Sequence, residues 1–196
     1  MRSTGRSWTC CCEDSGFVAE PPHKICRFCG GPGVKVVLGP GALGAADSIR
    51  PYVDGLRERG VDAIAVDLPR GAAARAVPAF LAACPAGRVV AGGHSFGGRV
   101  ASLAALEREF AGLILFSFPL RSAWRQRTDH WPRIGCPVLV LNGEEDDLAP
   151  LADLRQAMTR LPQGRLLLFP DVGHGLGSAL PDALDDAARF VATLSA

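Results

Sequence analysis

The stretch VVAGGHSFGGRV, residues Val89–Val100, decides how this chain is read. An apolar run stops at Gly92 and Gly93, a serine stands between His94 and Phe96, and Gly97 and Gly98 lead into an Ala-rich segment. The pentad Gly93-His94-Ser95-Phe96-Gly97 has the form G-x-S-x-G and falls where a predicted strand hands over to a predicted helix. Crowding accounts for the glycines. A hydroxyl at the apex of so tight a turn rides on a strained backbone, and its neighbours two positions away must lack side chains. The helix that follows turns its positive end toward any negative charge developing at that hydroxyl. A Gly-rich turn also suits a phosphate, but neither G-K-[ST] nor G-x-G-x-x-G is present here.

A serine hydroxyl needs a base to become a nucleophile. Downstream, LNGEEDDLAP places Asp146 three residues beyond Gly143, just past a strand-like run, and PDVGHGLG places His174 between two glycines after the next run. The order Ser95, Asp146, His174 fits a nucleophile–acid–base triad carried on strand ends. Taken singly, an acidic loop is ordinary solvated surface and a Gly-flanked histidine an ordinary loop residue. Their joint order is the signal. Asp147 competes for the acid role, and the register from Gly143 favours Asp146. An oxyanion hole would draw one N–H from Phe96 and one from the loop LGPGALG, where Gly41 lets the backbone approach and Ala42 is the expected donor; Pro40 has no N–H to give.

Outward from this point the chain repeats one pattern from Val34 onward. Short runs such as VKVV, GRVVAGG, AGLILF and CPVLVLNG alternate with segments of helical spacing such as SIRPYVDGLRERG, in which Ile49, Tyr52, Val53 and Leu56 share one face. The runs are continuously apolar, as strands buried on both faces are. This predicts an α/β fold: a doubly wound, mostly parallel sheet of about six strands with helices on both faces. Pro78 is expected to bend or begin its helix.

The bulk numbers set limits. With 196 residues, 48% apolar and 21% charged, the chain is sized for one ordinary domain. A net charge of +1 argues against a nucleic-acid partner. No apolar run approaches the ~20 residues that span a bilayer, and the first residues lack a signal-peptide core of about 7–15 apolar residues. A cytoplasmic protein with no membrane association is the expectation. Five of the seven cysteines (Cys10, Cys11, Cys12, Cys26, Cys29) lie before Gly33, which marks residues 1–33 as a Cys-rich, disordered tail and 34–196 as the domain. His23, Cys26 and Cys29 make half a zinc site, but the adjacent Cys10–Cys12 converge poorly on a tetrahedral ion. No metal and no cofactor are expected.

These residues resemble the α/β-hydrolase superfamily, most narrowly its small, cap-free, dienelactone-hydrolase-like branch that includes testis-expressed protein 30 and bacterial relatives. The likeness covers most of 34–194: VVLGPGA, GGHSFGGRVAS, GLILFSFPL, HWPRIGCPVLVLNGEEDDLAP and DVGHGL. It implies a minimal α/β-hydrolase fold and a serine hydrolase acting on a small ester or thioester through an acyl-enzyme. Two departures stand out. Relatives carry His-Gly where this chain has Pro40-Gly41, and dienelactone hydrolases proper use a cysteine where this chain has Ser95, so their substrate is not carried over. The first two strands of larger hydrolases have no counterpart in the run before Val34.

About twenty residues separate the strand ending near Ser117 from the one starting at Pro137, too few for a cap domain. The site is therefore expected to be open, with Phe118, Pro119 and Leu120 at its rim contacting substrate. Arg121, Arg125 and Arg127 with Trp124 read first as a solvated basic loop and second as an attractor of anionic substrate. His94 is expected to pack beside the serine. A non-catalytic binding or scaffold protein of the same fold is the alternative to an enzyme.

Overall fold

The computed structural model describes residues 33–42, 44–120 and 124–194. The His23/Cys26/Cys29 half-site and the tail before Gly33 lie outside the described residues. Strands β1 (Lys35–Gly39), β2 (Ala63–Ala65), β3 (Val89–His94), β4 (Gly112–Phe116), β5 (Val138–Gly143) and β6 (Gly164–Phe169) form one sheet in the order β2-β1-β3-β4-β5-β6, every pair parallel. Parallel neighbours need crossovers, and helices α1 (Arg50–Glu58), α2 (Ala73–Ala83), α3 (Phe96–Ala104), α4 (Trp124–Thr128) and α5 (Leu151–Met158) lie on them, while α6 (Leu180–Leu194) follows β6.

Strand alternation splits the core into two layers. Val37, Ala91, Leu113, Leu115, Val138 and Val140 point to one face and pack under α2, α3 and α5. Val36, Leu38, Val90, Ile114, Phe116, Leu139 and Leu141 point to the other and pack under α1 and α6. Both faces are covered, which is why the strands read as unbroken apolar runs. The chain lays β2 on one side of β1, then crosses to β3 on the other. The winding thus reverses between β1 and β3, and the crevice beyond their carboxyl ends is where such sheets bind ligands.

Two expectations are refined. Pro78 lies inside α2, which begins five residues earlier at Ala73. Between β4 and β5 the described residues hold only α4 and a three-residue 3-10 turn at Trp131–Arg133, and no further domain. No described helix is long and apolar enough to cross a membrane.

Candidate active site

Ser95 occupies the single residue between β3 and α3, with φ 51° and ψ −107°. A positive φ is costly for a residue bearing a Cβ. The strain is held by close backbone packing around it. A Cβ on Gly93 would fall 2.3 Å from the carbonyl oxygen of Gly39, and one on Gly97 would fall 2.0 Å from the same atom. The end of β1, the end of β3 and the start of α3 can therefore meet only as glycines. The Ser95 N–H donates to Phe116 O at 2.9 Å, fixing the turn to β4.

Seventy-nine positions further on, His174 brings Nε2 to 2.9 Å from Ser95 Oγ. Its Nδ1 lies 3.0 Å from Asp146 Oδ1 and 2.9 Å from Oδ2. Asp146 follows β5 and is 1% exposed, whereas its rival Asp147 is exposed. Two further donors hold the Asp146 carboxylate: Leu148 N–H to Oδ1 at 2.9 Å and Asn142 Nδ2 to Oδ2 at 3.0 Å. Ser95 and His174 are both part-buried, so a solute can reach them.

Phe96 is the first residue of α3, and a helix leaves its first N–H groups without intrahelical acceptors. Gly41 and Ala42 follow β1 in a turn closed by Gly44 N–H to Gly41 O at 3.0 Å, with Ala42 exposed and Gly41 beside His94. That segment is moored further along by Ala46 N–H to Asp67 Oδ1 at 2.7 Å.

The rim expectation is corrected. Phe118 and Leu120 are 0% exposed and Pro119 is buried. Ser117 takes φ 49° and turns the chain inward after β4. Phe118 then stacks edge-on to Trp131, with 5.0 Å between ring centroids, and the Leu120 N–H bonds Leu148 O at 2.8 Å. These three residues are core beneath the site. Arg121 lies outside the described residues, and Arg127 donates Nη1 to Pro119 O at 3.0 Å.

Three residues that the sequence does not mark as supports stand out. Asn142 holds the Asp146 carboxylate, as above. His94 packs beside the serine as expected, and its Nε2–H also donates to the carbonyl of His174 at 3.0 Å. Tyr52 donates to Gly175 O at 3.4 Å, and burial pushes its phenol up to about 12. Away from the site, His130 is buried against Ser102 Oγ at 2.9 Å.

Comparison with known proteins agrees with this fold. A family model described as "Alpha/beta hydrolase domain" matches residues 70–183. No curated protein matches the sequence. Among solved structures, a thermophilic esterase from Thermogutta terrifontis aligns with TM-score 0.67 at 19% identity, covering 84% of this chain and 91% of that one. Est1E from Butyrivibrio proteoclasticus aligns with TM-score 0.71 at 17% identity, covering 83% and 88%. A monoacylglycerol lipase from Paleococcus ferrophilus aligns with TM-score 0.69 at 15% identity, covering 83% and 97%. At these identities the likeness is one of fold.

Proposed function

The chain belongs to the α/β-hydrolase family, and we propose that it is a serine hydrolase cleaving a carboxylic ester or thioester through an acyl-enzyme on Ser95. One observation carries this reading: the unbroken relay from Ser95 Oγ through His174 to the buried Asp146, each contact 2.9 Å. In the reaction, Ser95 Oγ bonds to the substrate carbonyl carbon as His174 Nε2 takes the hydroxyl proton. Asp146 accepts from Nδ1–H, holding the tautomer and stabilising the imidazolium. The oxyanion forms at the amino end of α3, served by the N–H of Phe96 and that of Ala42, with Gly41 leaving room for the acyl group. His174 passes its proton to the departing alcohol or thiol as the C–O or C–S bond breaks. Water then repeats the sequence, releasing the carboxylic acid and restoring Ser95. Every step uses protein groups and water, with no cofactor or metal.

The esterases and lipase among the structural neighbours favour a small-molecule ester as substrate. The segments FPL and PRIGCPVLVLNG support placement in the dienelactone-hydrolase-like branch. The free thiols of Cys84 and Cys136 fit a reducing cytoplasm.

A fluorophosphonate probe tests the reading. Wild-type protein is expected to be labelled and to hydrolyse a chromogenic acetate ester or a short acyl thioester, and Ser95→Ala to lose both while melting as a folded protein. Folded wild-type chain that resists the probe would reject hydrolysis and favour the non-catalytic binding role.

A further inference from the structure

His174 stands between Gly173 and Gly175, and glycines restrict the backbone least of all residues. Something other than local sequence must hold the imidazole where Ser95 can reach it. Two side chains outside the relay fasten this loop at consecutive carbonyls: His94 at His174 O, 3.0 Å, and Tyr52 at Gly175 O, 3.4 Å. A carbonyl only accepts, so His94 carries a proton on Nε2.

The surroundings of His94 follow from strand alternation. His94 shares the face of β3 with Val90, toward α1, and there meets Tyr52 at 5.7 Å between ring centroids. Tyr52 in turn stacks edge-on against Phe116 at 4.9 Å, a rigid core position. The His174 ring lies 5.1 Å from that of His94. At its opposite nitrogen His94 faces the loop after β1, where a Cβ on Gly41 would stand 3.3 Å from Nδ1. One imidazole therefore touches both the loop bearing the base and the loop expected to bind the oxyanion.

We propose that His94 is a positioning residue: its Nε2–H bond to the His174 carbonyl sets how the base meets Ser95, and its ring spaces that loop from Gly41. The proposal rests on reading Ser95, His174 and Asp146 as the triad. Restraint through the backbone leaves both ring nitrogens of His174 free for Asp146 and Ser95. Burial, partly offset by the bond to the His174 carbonyl, lowers the His94 pKa, so the ring stays neutral and does not oppose proton uptake by His174.

The test separates donor from ring. H94Q keeps a donor at about the reach of Nε2, and H94F keeps a planar ring without one. Four quantities are read: kcat and KM on a chromogenic ester, the rate of fluorophosphonate labelling, the low-field proton resonance of His174 Nδ1–H, and the melting temperature. H94F is expected to keep its KM and melting temperature while kcat and labelling fall on the order of 10- to 100-fold, because small misplacement of a reacting group is costly. Its low-field proton should broaden, and H94Q should recover to within a few-fold of wild type. Wild-type rates in H94F, or equal impairment in H94Q and H94F, would overturn the proposal. Should H94F fail to fold, H94N, whose amide is too short to reach the carbonyl, replaces it with the same expectation. If wild-type protein is not labelled, the hydrolase reading fails and the low-field proton decides alone: sharp in wild type and H94Q but broad in H94F supports positioning, and alike in all three refutes it.

Discussion

Gly97 lies so close to Gly39 that a Cβ placed on it would come 2.0 Å from the Gly39 carbonyl oxygen and 2.3 Å from its carbon. The obstacle is backbone, which has no rotamer to yield. Gly97→Ala is therefore expected to destabilise the fold by about 3 kcal/mol or more, at or beyond the upper end of ordinary overpacking. Gly135 meets nothing within 4 Å. Gly135→Ala should leave stability unchanged or raise it by under about 1 kcal/mol. Urea denaturation of the two variants checks this, and equal losses would remove the steric account of the turn.

Asp146 and Asp147 are neighbours in sequence with opposite environments, one buried against His174 and Asn142, the other exposed. Asp146→Asn is expected to lower kcat by about three to four orders of magnitude through the wrong histidine tautomer, and Asp147→Asn by less than about twofold, as for an exposed loop charge. Steady-state rates on one chromogenic ester decide between them.

Asn142 donates to a buried carboxylate, and hydrogen bonds to charged groups contribute about 1.5–3 kcal/mol. Asn142→Leu should lose stability in that range at neutral pH. Guanidinium titration measures it, and an unchanged midpoint would show that Asp146 is held sufficiently by Leu148 and His174.

His130 supplies a pH dependence. Burial, the largest cause, and nearby arginines lower its pKa to about 4 from the ordinary imidazole value of 6.5. The unfolded chain takes up a proton below pH 6.5 that the folded chain resists until about pH 4, so stability falls as pH falls through this window. The loss amounts to at most about 3 kcal/mol, and burial of His94 acts in the same direction. Denaturation free energies from pH 7 to pH 4 should show the decline, and His130→Gln should flatten it. A variant as pH-sensitive as wild type would place the effect elsewhere.

Ser95 holds φ 51° in the folded chain, and such conformations cost about 1–3 kcal/mol for a residue with a Cβ. Ser95→Gly relieves that cost against a smaller gain in unfolded-state entropy. It should be more stable than Ser95→Ala by about 1 kcal/mol, as thermal melts of the two inactive variants would show.

Much of this was legible in the residues themselves. β3, β4 and β5 announce themselves because burial on both faces keeps them apolar up to His94 and Asn142 near their ends, and the candidates Ser95, Asp146 and His174 because each follows a strand-like run with a glycine within three positions. Phe118, Pro119 and Leu120 were misplaced at the rim because an apolar tripeptide after a strand reads alike on a rim or in a core. What sends them inward is the positive φ of Ser117, a conformation serine rarely takes and no residue type advertises. His94 and Tyr52 escaped notice as supports because their partners are backbone carbonyls, present at every position. His130 sits in a polar stretch, and its buried partner Ser102 is 28 positions away in the chain.

The brevity of the β4–β5 crossover bears on what this molecule can accept. With α4 and one 3-10 turn as its only described elements, the described residues of this crossover place no portal through which a ligand must thread. In the proposed hydrolysis, discrimination then falls to groups next to the scissile bond, and the far end of an alcohol can trail into bulk solvent. An ester tethered to a bead or a long polymer should be cut nearly as fast as its free counterpart, so size alone would not set the catalogue of molecules it turns over.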